Sequence, residues 1–246
     1  MLPSKSTRFR EFYQQEATHY HSRRYATRYG SLFRHLHHHV LRELLGDLTP
    51  SSTVLEVACG TGHTTELLTS IGLSPIASDL TVQMMQQARE RAAAVAFVRA
   101  DAFRLPFRDN SFDAVISTRF FHLFPLAEQR RLAQEMHRVL KPSGRLVVDF
   151  DNFTSRWLLA LPYFLYNLVR YRRAAPYAVY NRIKPSERML RDVGFQTLCS
   201  HGIGGTHLIL PALASHAWAF RLGLLHRAAP LRALAEQFII SGLKAP

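Results

Sequence analysis

Thr53-Val-Leu-Glu-Val-Ala-Cys-Gly-Thr-Gly-His-Thr-Thr65 is an apolar run that closes on an acid and then on a small, glycine-bearing turn. Val54, Leu55 and Val57 suit a strand buried on both faces. Gly60 and Gly62 let the backbone turn sharply and leave room for a ligand at a helix N-terminus. The stretch therefore predicts the first strand of an open α/β sheet, with function beside Gly60. Two cofactor classes use such a turn. A dinucleotide site asks for G-x-G-x-x-G, whose third glycine packs helix on strand while the helix dipole faces pyrophosphate. Here the third position is Thr65, and Glu56 stands ahead of Ala58, Gly60 and Gly62. A carboxylate beside the turn suits a cationic ligand group better than an anionic one.

Acids recur at the following strand ends. Pro75-Ile-Ala-Ser-Asp79 reads as a second strand, one strand-turn-helix-turn-strand step beyond Glu56. Asp79 thus falls at the carboxyl end of a neighbouring strand, where open sheets bind ligands. There it can accept two ribose hydroxyls and also cap the helix that starts near Thr81. Val95-Ala-Phe-Val-Arg-Ala-Asp101 repeats the pattern. Ala114-Val-Ile-Ser117 is the central strand and carries Thr118, Arg119, Phe120, Phe121 and His122 to the rim of the site. A sheet-packed helix over 126–140 and a strand over 145–149 follow.

On these residues the chain resembles the class I S-adenosylmethionine (SAM) methyltransferases, whose first motif has the form (D/E)-x-G-x-G-x-G. It is most similar to their ubiquinone/menaquinone-biosynthesis-like branch, methyltransferase type 11. Ala58 replaces the first glycine and slightly restricts the turn. Arg104-Leu-Pro-Phe-Arg-Asp-Asn-Ser-Phe-Asp113 resembles the branch signature D-(x)-x-x-L-P-F-x-D-x-S-F-D, and Leu140-Lys-Pro-Ser-Gly-Arg145 resembles its L-K-P-G-G turn. Tyr13-x-x-x-Ala17-x-x-Tyr20 looks like the entry helix of many small-molecule methyltransferases.

The resemblance, over about residues 54–150, implies a Rossmann-like α/β fold. Its seven-stranded sheet is mostly parallel with an antiparallel last strand, and helical lid insertions are added. The implied cofactor is SAM. Its contacts would come from Tyr20, from Glu56, Ala58, Cys59, Gly60, Thr61 and Gly62 of the first turn, and from Asp79, Leu80 and Met84 after the second strand. Asp101, Ala102 and Phe103 would form the adenine pocket, with Thr118 on the central strand. The frame also predicts a helix over 185–193 and a closing antiparallel pair over 196–199 and 238–243.

The expected organisation is a helical cap at 1–48, a SAM-binding core at 49–152, a lid insertion at 153–184, a core continuation at 185–205, a second helical insertion at 206–235 and a last strand at 236–246. Helical periodicity covers 9–45, with Gly30 expected to break it in two. The stretch from Trp157 to Val169 is too short to span a bilayer and too apolar all round for a surface helix. It closes a lid over an apolar acceptor pocket, or it meets a membrane with Arg170, Arg172 and Arg173 near the headgroups. Either implies a small, partly apolar or lipid-like acceptor.

With 31 Lys and Arg against 18 Asp and Glu, the 246-residue chain carries +13. The excess is scattered and no nucleic-acid motif accompanies it, which argues against a nucleic-acid partner. Two cysteines exclude a disulfide framework. No apolar run reaches membrane-span length and no secretory leader is recognisable, so a cytoplasmic protein is expected, with peripheral membrane contact left open. His35 and His39 share a helix face, yet no further ligands stand at metal spacing and no metal is expected. Cys59 is read as a soft space-filler.

Methyl transfer from a sulfonium needs positioning and a dry site above all. A base is required only for a hydroxyl or carbon acid, and His122 is the candidate, with a wall residue as the alternative. Arg119 could orient an acidic substrate. O-methylation leads, then C-, then N-methylation. A non-catalytic SAM-binding module and a NAD(P)-dependent oxidoreductase are the competing classes.

Overall fold

The computed structural model describes residues 13–14, 25–158, 179–205, 214–227 and 231–246. The lid stretch from Leu159 to Val169, its three arginines and Tyr20 lie outside the described residues.

Seven strands form one sheet: β1 Val54–Val57, β2 Ile76–Asp79, β3 Ala96–Arg99, β4 Phe112–Ser117, β5 Leu140–Asp151, β6 Phe195–Ile203 and β7 Gln237–Lys244, in the order β3-β2-β1-β4-β5-β7-β6. Neighbours from β3 to β5 run parallel, whereas β7 is antiparallel to both β5 and β6. This is the class I methyltransferase fold, with the expected closing hairpin. The strands run longer than the apolar pattern indicated at β5, β6 and β7, because ladder pairing continues past the last apolar residue.

Helices cover both faces: α1 Arg28–Leu44, α2 His63–Ser70, α3 Val82–Arg91, α4 Leu126–Val139, α5 Phe153–Leu158, α6 Ile183–Val193 and α7 His216–Leu224. One core packs Leu132, Met136, Met189 and Leu190 of α4 and α6 on Leu55, Val57 and Val115. The other packs Leu32, Leu36 and Leu41 of α1 and Leu67 and Leu68 of α2 on Val54, Ala114 and Ile116. Among the described residues no helix is long and apolar enough to cross a membrane.

Gly30 does not break the N-terminal helix. The break falls at Ala26 and Thr27, where the Thr27 hydroxyl accepts the Gly30 N–H at 3.0 Å and caps α1, so Gly30 lies buried in its first turn. The described part of the second insertion packs α7 onto α1. Gly223 sits so close to Leu36 that a Cβ there would lie 2.6 Å from it.

The amino ends of β1 and β4 are tied by charges. Asp113 takes the Thr53 N–H at 2.8 Å, the Thr53 hydroxyl at 2.7 Å and Lys141 Nζ at 2.9 Å. Arg138 donates to the Leu105 carbonyl at 3.1 Å, the Phe107 carbonyl at 2.9 Å and Asp109 at 2.6 Å, while Glu135 takes the Leu105 N–H at 2.7 Å. The signature loop 104–113 is thereby strapped to α4.

Candidate active site

The carboxyl ends of β1 to β4 open into one cleft, lined by residues of all four strand ends. The β1–α2 turn forms its floor. Ala58 has φ +59, Gly60 φ +53 and Gly62 φ +83, so three residues of the turn are left-handed. Ala58 bears the strain that a glycine would avoid, on the order of 1–2 kcal/mol. A Cβ built on Gly60 meets nothing within 4 Å, because the bare Cα faces the open cleft.

Asp79 locks the next loop to this one. Its Oδ2 accepts the Gly60 N–H at 2.9 Å and its Oδ1 the Thr81 N–H at 2.7 Å. The helix-entry and ligand readings of Asp79 thus coexist, with lone pairs left for hydroxyls in the cleft. Burial raises its pKa. Leu80 and Met84 line the cleft beside it. Beyond β3, Asp101 accepts the Phe103 N–H at 2.9 Å, and Asp101, Ala102 and Phe103 all line the cleft. Phe103 meets Phe124 edge to face, with ring centroids 5.2 Å apart. Thr118 closes the floor, its hydroxyl 2.7 Å from that of Thr64. Cys59 and Thr61 also line it, and burial pushes the Cys59 thiol well above its usual pKa, which makes it an inert filler.

Three sequence-derived positions stand elsewhere. Glu56 does not face the cleft. Strand alternation puts it on the face of Val54, toward α2, where its Oε2 accepts the Thr65 hydroxyl at 2.6 Å. Burial raises its pKa to about 8, so it is a neutral acid at pH 7 rather than a counter-charge for a ligand. Thr65, at the position of the missing third glycine, is its partner. Gly62 makes room for α3, not for a ligand: a Cβ there would lie 2.8 Å from both Cα and Cβ of Ala88. His122 is 4% exposed and lies behind the rim, outside the cleft lining, with its backbone carbonyl accepting the Val179 N–H at 2.7 Å. The short 3₁₀ turn Phe121–Leu123 points Phe121 and His122 inward and leaves Phe120 and Leu123 on the cleft.

Tyr13 of the entry-helix motif lines the cleft, and so do Tyr25, His63 and Thr64, which were not proposed as contacts from sequence. His63 stacks between Tyr25 at 4.5 Å and His38 at 4.4 Å between ring centroids. Burial pulls the His38 pKa down to about 3, which keeps this stack free of a charged His38. As the first residue of a helix that points its N-terminus at the site, His63 was findable from the turn alone. The histidine run of α1 disperses: His35 packs edge-on to His216, His37 meets Asp149 at 3.3 Å and His39 meets Glu43 at 3.2 Å. Among the described residues no group of three or more His, Cys, Asp or Glu is placed to hold a metal ion.

Residues 55–148 match the methyltransferase domain family Methyltransf_11. The chain is similar to the demethylmenaquinone methyltransferase of Paenarthrobacter aurescens (strain TC1), 40% identical over 102 residues, covering 42% of this chain and 40% of the relative. It is also similar to the demethylmenaquinone methyltransferase of Mycobacterium sp. (strain KMS), 40% identical over 128 residues, covering 51% of this chain and 54% of the relative. The chain therefore spans about half or less of the length of these curated relatives. Magnesium protoporphyrin IX methyltransferase from Synechocystis PCC 6803, solved with bound SAH, shares the fold at TM-score 0.68 and 16% identity, over 98% of this chain and 100% of that one. Residues 55–148 thus carry a methyltransferase-domain match on a fold shared with that SAH-bound enzyme. The resemblance carried by the Glu56 to Gly62 and Arg104 to Asp113 motifs is borne out.

Proposed function

We propose that the chain is a SAM-dependent methyltransferase whose acceptor is a quinone-like, partly apolar molecule. The carrying observation is the Asp79 carboxylate bonded to both Gly60 and Thr81, beside a left-handed Gly60 whose Cα faces open space. Such a site takes a nucleoside across a bare backbone and leaves acceptor lone pairs for ribose hydroxyls. SAM would supply a methyl on a positive sulfur, which leaves as a neutral thioether when the acceptor's electron pair takes the methyl. Asp79 and Asp101 would hold its adenosine, with Ala102 and Phe103 against the ring and Thr118 beneath.

The acceptor reading is supported by the apolar side chains of Tyr25, Phe120, Leu123 and Phe124 in the cleft lining. The named relatives, which act on demethylmenaquinone, point the same way. With His122 behind the rim, the chain's work in this reading is orientation and exclusion of water. O-methylation and C-methylation both fit. The segment returning at Val179, tied to the His122 carbonyl, supports the 153–184 insertion as a cover for this end of the cleft.

Calorimetry with SAH tests the cofactor half. Wild type should bind SAH and not NADH, and Asp79→Ala should bind at least tenfold more weakly while still folded, since it removes acceptors worth about 1.5–3 kcal/mol. Normal SAH binding by Asp79→Ala, or binding of NADH, would sink the reading. Labelled methyl transfer to a short-chain prenyl naphthoquinol tests the acceptor half.

A further inference from the structure

Among the described residues, the acids and the arginine of the cleft are sorted by strand. Asp79 and Asp101 follow β2 and β3, whereas Arg119 follows β4 on the other side of β1. Arg119 lines the cleft with its guanidinium 5.9 Å over the ring of Phe33. Its Nε is buried with no hydrogen-bond partner, and its side chain makes no ion pair with a described residue.

Its position is built rather than incidental. Arg119 has φ +59, a left-handed conformation that opposes any side chain larger than glycine. Asp149 holds it there: fully buried on β5, it accepts the Arg119 N–H on Oδ1 at 2.7 Å and meets His37 Nε2 of α1 on Oδ2 at 3.3 Å. That carboxylate is committed to the backbone and to His37, and His122 lies behind the same turn. The guanidinium is thus the cationic group that the β4 end of the cleft presents, backed by a flat ring and flanked by Phe120.

We propose that Arg119 is a specificity-determining residue that pairs with an anionic oxygen of the methyl acceptor, an ionised aryl or enol hydroxyl, whose proton goes to bulk water. This rests on the methyl-transfer reading. A planar guanidinium held over the Phe33 ring suits an oxygen at the edge of an aromatic ring. A cation beside the hydroxyl favours its ionised form, so the site would select acidic hydroxyls and present them as nucleophiles near neutral pH.

The probe is 2-naphthol, titrated spectrophotometrically on the whole chain with and without SAH. An aryl hydroxyl ionises near 10, as tyrosine does. Bound to wild type it should ionise about one pH unit or more lower, as expected beside an opposite charge. Arg119→Gln should abolish the shift and Arg119→Lys keep part of it, while neutral 2-methoxynaphthalene binds wild type and Arg119→Gln alike. Equal titrations in wild type and Arg119→Gln, or no naphthol binding with or without SAH, would overturn the proposal. So would a tenfold loss of SAH affinity in Arg119→Gln with 5′-methylthioadenosine, which lacks the amino-acid end, bound as before; the guanidinium would then serve the cofactor's carboxylate. If SAH failed to bind wild type, the methyl-transfer reading would fail on its own, and the naphthol titration without SAH would still decide the role of Arg119.

Discussion

Residues 104–113 lead into β4 and residues 118–123 leave it, and the two regions do opposite work. The first matches a family signature almost residue for residue, yet its bonds go to its own scaffold: Arg138 of α4 gathers the Leu105 and Phe107 carbonyls, and Asp113 clamps Thr53 and Lys141. The second supplies Thr118, Arg119, Phe120 and Leu123 to the cleft. A motif can be highly specific because it is a mechanical joint at the amino end of a sheet, while chemistry at the carboxyl end stays free to vary.

The β1–α2 turn divides in the same way within a few residues, and the largest expected effect lies there. Gly62→Ala should cost several kcal/mol, since its Cβ would meet Ala88 backbone at 2.8 Å in a left-handed residue. Gly60→Ala meets no neighbour and should cost about 1–2 kcal/mol in backbone strain, with its main loss in SAH affinity. Thermal unfolding and SAH calorimetry on both variants would separate them. Equal melting temperatures would erase the distinction between a packing glycine and a ligand glycine.

Arg138→Ala probes the amino end directly. Loss of its bonds to the Leu105 and Phe107 carbonyls should cost about 2–3 kcal/mol, discounted for partial exposure, and lower Tm by roughly 4–12 °C in a chain of this size. SAH affinity should stay within about twofold. A marked fall in affinity would mean that the two ends of β4 are coupled after all.

The remaining effect is a slope with pH rather than a fixed loss. Glu56 holds its proton more tightly when folded, with a pKa raised by burial from 4.5 to about 8. Its contribution to stability is therefore full below pH 4.5 and is lost as pH rises through 8. Glu56→Gln keeps an acceptor for the Thr65 hydroxyl and cannot ionise. Denaturant midpoints of wild type and Glu56→Gln should draw apart between pH 5 and 8, with the variant the flatter. Parallel curves would put the charge of Glu56 back into play at the turn.

Much of this arrangement was legible in the chain. Asp79, Asp101 and Gly60 could be placed because each closes a short apolar strand, and strand ends are where open sheets keep their ligands. Glu56 was misplaced by the same reasoning, because motif form outweighed the two-residue alternation that puts it with Val54. His122 was drawn to the rim by proximity in sequence, and a 3₁₀ turn then reversed its direction. The cap's contribution through Tyr25, His38 and Phe33 was hidden, since nothing in a histidine-rich helix says which ring will meet β1, β5 or α7. Gly30 looked like a break, but Thr27 offered a stronger start.

The place of β7 has a kinetic side. It lies between β5 and β6, with Arg145 opposite Leu243 and Asp151 opposite Gln237, so the strand that covers the β5 edge comes from nearly a hundred residues downstream. Local pairing can assemble β1 to β4 early, but β5 stays an open edge until that distant closure occurs, and closure over such a span is slow. Until then the apolar run Leu146, Val147 and Val148, fully buried in the finished protein, is the segment most exposed to mispairing with another chain. Refolding yield should therefore depend on protein concentration more than on any feature of the cleft.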